Sequence, residues 1–159
     1  MKLGNLSANI VTIMNEVLGN QQICKYLYYN QNNPLSQPNI ADTKVLMKKQ
    51  LFPYPFSPNI NTADTPQLRV YYGRSKFSAR EIITDAGIII DIIIPNTLFL
   101  VNDGVEAIRP YEILKLLVDL FSDKVIGQLG TMFFKEFGPL SINEKYDGVR
   151  IYADTKLFG

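Results

Sequence analysis

The sequence predicts an α+β fold in which a mainly antiparallel sheet is packed by an N-terminal helix and by a helix at about residues 108–122. Three observations predict this class. Apolar residues recur at helical spacing in both helices, β-branched residues alternate between them, and turn residues separate the segments. The length of 159 residues fits a single domain, 1–159, with an extended loop or arm at about residues 30–66.

The N-terminal third predicts helices and then an irregular arm. Apolar residues from Leu6 to Val17 share a helical face, and residues 21–29 predict a second short helix. Within the arm, residues 42–51 predict one more short helix, for which Asp42 is a capping type. The following run, Phe-Pro-Tyr-Pro-Phe-Ser-Pro at 52–58, has three prolines without an amide donor, so we expect an extended segment.

The second half of the chain predicts mainly strands. Leu68, Val70 and Tyr72 alternate with polar or small residues, which indicates a half-buried strand. Residues 87–94 contain six isoleucines and are apolar on both faces, so we expect a central strand there. Residues 97–101 predict a shorter strand or a continuation of it.

One helix and a C-terminal strand pair complete the predicted fold. Residues 108–121 place an apolar stripe on one side, and Pro110 suits the first turn of a helix. Residues 131–137 predict a strand. The Tyr146-Asp147-Gly148 run predicts a hairpin turn between strands at 140–145 and 149–158.

Composition argues against several classes of function. With no His and one Cys, the common zinc sites and the His-dependent nucleophilic sites lack their residues. No glycine-rich phosphate-binding motif occurs, and the most apolar stretch is too short for a membrane span. We therefore expect a soluble protein that is not an enzyme, with no catalytic, cofactor-binding or metal-ligating residues and no membrane partner.

Two groups of residues leave alternatives open. Asp91 lies on a strongly apolar strand, where it is either paired with an Arg or a backbone amide at an edge or interface, or part of a metal-dependent active site. Basic residues cluster around the first strand and predict either a solvated face or contact with DNA or an acidic partner; they are Arg69, Arg74, Lys76 and Arg80. The net charge of +1 argues against general attraction to DNA.

Five segments carry a family resemblance: KYLYYN at 25–30, NPLSQP at 33–38, LFPYPF at 51–56, IRPYEIL at 108–114 and DGVRIY at 147–152. With them the chain resembles the neck or tail-completion proteins of tailed bacteriophages, and the element order from residue 67 onward resembles the tail-terminator fold. The resemblance implies a viral structural protein of the virion, a head–tail connector that forms a homo-oligomeric ring around the DNA channel.

The resemblance also implies partners and surfaces. A ring of roughly six or twelve copies would contact neighbouring head-completion, portal or tail-tube proteins, and DNA would pass through it without sequence specificity. The protein would lie in the virion neck, and in the host cytoplasm during assembly. The residues predicted for the subunit interface are aromatic, and they are Phe52, Tyr54, Phe56, Tyr28 and Tyr29. The four basic residues named above would line the channel or contact an acidic partner.

Two other functions remain open from the sequence. One is a small metal-dependent nuclease that uses Asp91 together with Asp85 or Glu81. The other is a protein-binding adaptor that captures its partner with residues 30–66.

Overall fold

A computed structural model describes residues 2–57, 64–80 and 82–156. These residues form helices on one face of a five-stranded sheet, with a two-stranded sheet beside it. The helices are α1 (Leu6–Leu18), α2 (Gln21–Tyr28) and α3 (Arg109–Phe121). The strands are β1 (Leu51–Phe52), β2 (Gln67–Phe77), β3 (Ile83–Pro95), β4 (Leu100–Asn102), β5 (Glu106–Ile108), β6 (Thr131–Ser141) and β7 (Tyr146–Lys156).

The large sheet has the strand order β1-β2-β3-β7-β6. Only β1 runs parallel to its neighbour, and every other pair is antiparallel. The strands β4 and β5 form the separate antiparallel pair. The predicted α+β class with a mainly antiparallel sheet is therefore confirmed, as are the N-terminal helix and the helix near residues 108–122.

The isoleucine-rich strand β3 is central, as predicted. Its isoleucines at even positions, Ile88 to Ile94, belong to one buried core with Ile13 of α1 and Ile113 of α3. Burying a side chain of this size stabilises the fold by about 1.5–3 kcal/mol. The even positions of β3 therefore fix the side on which the helices lie, which we call the helix face; the opposite side is the outer face.

A buried arginine holds the helix layer together. The side chain of Arg109, at the start of α3, is fully buried, and its guanidinium donates to four backbone carbonyls at 2.7–2.9 Å, those of Leu98, Tyr26, Tyr29 and Gln31. Burial lowers the pKa of Arg109 to about 10. Because Tyr26 and Tyr29 lie at the C-terminal end of α2, this cation also satisfies carbonyls that the helix leaves without partners.

The predicted helix at residues 42–51 is wrong. Residues Thr43–Leu46 form a single 3₁₀ turn, whose start Asp42 caps by accepting a hydrogen bond from the Lys44 amide at 3.1 Å. The chain then turns at Lys48, which has a φ of 63°, and enters β1. The turn is favoured because it buries Leu46 and directs Leu51 to pair beside β2, which a continuous helix would prevent.

The predicted hairpin turn at residues 146–148 is also wrong. These residues lie inside β7, and the turn between β6 and β7 lies at residues 142–145. There the Asn143 side chain accepts hydrogen bonds from the amides of Lys145 and Tyr146 at 2.9 and 3.0 Å, as in an Asx turn. Gly148 is needed for packing, since a Cβ there would clash with the Ile92 carbonyl oxygen.

The remaining predictions agree with the structure in part. Residues 97–101 contain a 3₁₀ turn, Asn96–Leu98, followed by β4 in the small sheet. The described part of the arm, 30–57 and 64–66, is largely irregular with two 3₁₀ turns and β1, while residues 58–63 lie outside the described residues. Of the helices in the described ranges, none is long and apolar enough to cross a membrane.

Candidate interaction surface

The centre of the outer face carries a buried ionic network. Asp91, only 1% exposed, accepts two hydrogen bonds from the Arg150 guanidinium, at 2.8 Å from Nε and 3.0 Å from Nη2. The hydroxyl of Tyr71 donates at 2.5 Å to Oδ2 of Asp91, the oxygen that also accepts from Nη2 of Arg150, and accepts from Arg150 at 3.1 Å. Hydrogen bonding with Asp91 raises the pKa of Arg150. The pKa of Tyr71 is raised mainly by burial and also by its hydrogen bond to Asp91.

Strand register creates this network. Arg69, Asp91 and Arg150 lie side by side on β2, β3 and β7, so one carboxylate lies between two cations. The predicted pairing of Asp91 with an Arg is confirmed, but the pair lies on the central strand rather than at an edge. A bidentate pair of this kind fixes the register, because a shift of β3 or β7 by one residue would turn Asp91 or Arg150 to the helix face and break the pair.

The carboxylates predicted for a nuclease do not converge. Asp85 is six residues from Asp91 on the same strand, which separates the two by about 20 Å. Glu81 lies outside the described residues. In the described ranges, no group of three or more His, Cys, Asp or Glu side chains is placed to hold a metal ion.

The arm folds back over the outer face and encloses a second arginine. Arg69 is 3% exposed, and its Cζ lies 4.0, 5.3 and 5.2 Å from the ring centroids of Phe52, Tyr54 and Phe56. Its guanidinium donates to the Gln67 side chain at 2.8 and 3.1 Å, and to the carbonyls of Tyr54 and Pro55 at 3.4 and 3.2 Å. Burial lowers the pKa of Arg69. We call this contact the arm latch.

The structure distributes the predicted interface residues over two regions. Phe52, Tyr54 and Phe56 surround Arg69 of the same chain; among them, Phe52 is buried, Phe56 is half-buried and Tyr54 is exposed. Tyr28 and Tyr29 lie at the end of α2 in the helix layer, where the rings meet edge to face at 5.0 Å. Tyr28 is exposed, and Tyr29 donates to the Pro38 carbonyl at 2.7 Å.

The predicted basic cluster is divided as well. Arg69 is buried at the start of β2, whereas Arg74, Lys76 and Arg80 are exposed near the end of that strand and in the turn after it. Arg74 lines a hollow of about 390 Å³ on the outer face, beside Tyr152 and Asp154. Three of the four predicted channel residues therefore share a region that is open to solvent.

The strand β6 ends the sheet and leaves a long edge open. Ser122 and Val125 form isolated β-bridges with Met132 and Thr131, the first residues of β6. Beyond them, over residues 133–141, no strand in the described part of the chain pairs with its outer side. We call this stretch the β6 edge. Phe137 on it is 60% exposed, and together with Tyr111 of α3 it lines a groove of about 400 Å³.

The opposite side of the sheet is partly open too. β1 pairs only with Leu68 and Arg69. Over residues 70–77, which we call the β2 edge, the described residues provide no further strand. The exposed Phe77 lies at its far end. The sequence reasoning missed both edges, although Pro139 within β6 was an available signal, because proline in a sheet is largely confined to edge strands.

Comparison with protein families gives a match that covers most of the chain. The family described as YomW matches residues 20–155, which include β1 to β6, all of β7 except its last residue, and the helices α2 and α3. Among curated proteins, none matches the chain. YomW is a protein of an SPbeta-like Bacillus phage, so the match suggests a phage origin. Because the match extends over most of the 159 residues, the chain belongs to the YomW family.

Proposed function

We propose that the chain is a structural protein of the phage head–tail interface, a neck or tail-terminator subunit that forms a ring around the DNA channel. The observation that carries the proposal is the pair of open edges on one sheet, the β6 edge and the β2 edge. Open edges expose unpaired amide and carbonyl groups, which favour pairing with another chain. An assembly that pairs them satisfies these groups and prevents uncontrolled aggregation.

The apolar surface beside the β6 edge supports a role in protein contact. Phe137 and Tyr111 are both exposed, and the β4–β5 pair nearby in sequence exposes Leu100 and Val105. Phe137 and Tyr111 line one groove, and exposed apolar side chains grouped in this way are typical of surfaces that bind proteins. The YomW family match adds a phage origin, which agrees with the resemblance to neck and tail-completion proteins.

Contact with DNA would be local. The net charge of +1 provides no general attraction to a polyanion. Arg74, Lys76 and Arg80 nevertheless place three exposed cations near one end of the β2–β3 hairpin. In a ring, that end would line the channel, where the cations that do not pair with a neighbouring copy would contact phosphates without reading the base sequence.

Purified phage particles test the proposal. We expect the protein in intact virions at a constant low ratio to the capsid protein, and we expect a phage without its gene to accumulate DNA-filled heads and unattached tails. Electron microscopy and mass spectrometry of gradient fractions would measure both. Normal virions from the deletion phage, in particles that lack the protein, would contradict the proposal.

A further inference from the structure

We propose that the β6 edge of one copy pairs in antiparallel register with the β2 edge of a second copy. The inference rests on the proposed ring function and specifies the contact that would close the ring. Both edges belong to the same five-stranded sheet and lie on opposite sides of it. The proposed occupant of each edge is therefore a second copy of this chain.

Strand direction favours this pairing. Antiparallel pairing alternates along β2, β3, β7 and β6, so β6 runs opposite to β2. If a second copy is placed beside the first in the same orientation, its β2 runs antiparallel to β6. The joint then continues the antiparallel alternation of the sheet, and the two edges are similar in length.

The register is set by a pair of charges. The antiparallel register that places Glu136 of β6 opposite Arg74 of β2 also places residues 133–140 opposite residues 77–70, so it covers the whole β2 edge. Both side chains are exposed in the single chain, so each is free to meet a second copy.

Charge is complementary in the same register. The irregularity at Lys135 places Phe133 opposite Asp154 and Glu136 opposite Tyr152, so both β6 side chains lie on the outer face. Arg74 lines the outer-face hollow. Neither Glu136 nor Arg74 has an ion pair with any other described residue. Opposite charges on directly facing strands are stabilising, and like charges there are destabilising.

Such a joint has a consequence for assembly. Because it uses two different surfaces, it is head-to-tail, and it gives a closed ring when the rotation between copies closes. A joint of β6 with a second β6 would instead use one surface twice and would stop at a dimer.

Charge reversal tests the pairing in the full-length chain. We expect Glu136→Lys, and separately Arg74→Glu combined with Lys76→Glu, to raise the concentration needed for half-assembly about tenfold or more, since like charges then meet. The matched control is Asp119→Lys on the exposed side of α3, which should assemble like the unaltered chain. Mass photometry measures assembly, and a native circular-dichroism spectrum with a cooperative thermal transition confirms that each variant is folded, since loss of assembly by itself lowers the melting temperature.

Mixing the variants identifies which edges meet. Copies with Glu136→Lys and copies with Arg74→Glu and Lys76→Glu should assemble when mixed, because every joint in an alternating ring then pairs opposite charges. Failure of the mixture to assemble, assembly of each variant alone, or a wild-type chain that stays monomeric would overturn the inference. The protein could still be found in virions in each of these cases, so the proposed function is tested separately by the particle experiment.

Discussion

The two faces of the large sheet differ in how completely the residues of one chain cover them. On the helix face, isoleucines of β3 are fully buried against α1 and α3, and Arg109 satisfies four backbone carbonyls. On the outer face, an ionic network and the arm latch cover the centre, while the strands on both sides keep open edges. The helix face is therefore completed within one chain, whereas the sheet edges leave backbone groups that no other described strand pairs.

The largest expected effect concerns the helix layer. Arg109→Ala leaves four backbone carbonyls without their donor and removes a large buried side chain, so we expect a loss of about 3–5 kcal/mol in the free energy of unfolding. The exposed Arg74→Ala is the matched control and should change stability by less than about 0.5 kcal/mol. Urea denaturation measures both; equal losses would show that Arg109 does not hold the helix layer.

A smaller loss is expected for the outer-face network. Asp91→Asn removes the anion between Arg69 and Arg150, and we expect a cost of about 2–3 kcal/mol, because Arg150 retains part of its hydration. The double variant with Arg150→Gln should be less destabilised than the sum of the single variants. Strictly additive losses in this cycle would contradict the coupling that the hydrogen bonds indicate.

The arm latch should contribute less again. Arg69→Met removes the cation that the rings of Phe52, Tyr54 and Phe56 enclose, with an expected cost of about 1–2 kcal/mol. We expect chymotrypsin to cleave faster after Phe56, the aromatic residue of the latch that is not followed by a proline, while Arg80→Met leaves the cleavage rate unchanged. If the arm of Arg69→Met is cleaved no faster than that of the unaltered chain, the latch does not hold the arm.

The labelling rate of the buried Cys24 thiol reports on the helix layer and not on the arm latch. Cys24 lies in α2, and burial raises the pKa of its thiol to about 11, so native protein should react slowly with iodoacetamide. Arg109→Ala should accelerate this labelling, whereas Arg69→Met should leave it nearly unchanged, because the arm latch lies on the other face. Equal acceleration by both variants would mean that the two regions open together.

The sequence predicted the parts of the fold that depend on periodicity. The helices at residues 6–17 and 108–121 and the central isoleucine strand have strong apolar patterns, and the structure confirms them. The Asp147-Gly148 pair predicted a turn because these residue types favour turns locally. In the structure Gly148 lies inside β7, where the close approach of the Ile92 backbone, a tertiary contact, requires a glycine. For the same reason, the pattern at residues 42–51 predicted a helix that tertiary packing of Leu46 and Leu51 overrides.

The candidate surface was less accessible to sequence reasoning. The pairing of Asp91 with an Arg followed from the cost of an unpaired buried charge, but its partner Arg150 lies far along the chain and is brought near only by strand register. Arg69 and Arg74 look alike in sequence, yet one is enclosed by the arm and the other is exposed. The open edges depend on strand order, which no local pattern specifies.

Hydrogen exchange at the sheet edges tests the central claim most directly. We expect the outward-pointing amides of residues 70–77 and 133–141 to exchange slowly in the assembled protein and fast in monomeric Glu136→Lys, while the amides of α3 exchange equally slowly in both. Mass spectrometry of peptides from these three regions measures the difference. If both edges exchange equally fast in the assembled and the monomeric protein, the copies do not join through the edges of the sheet.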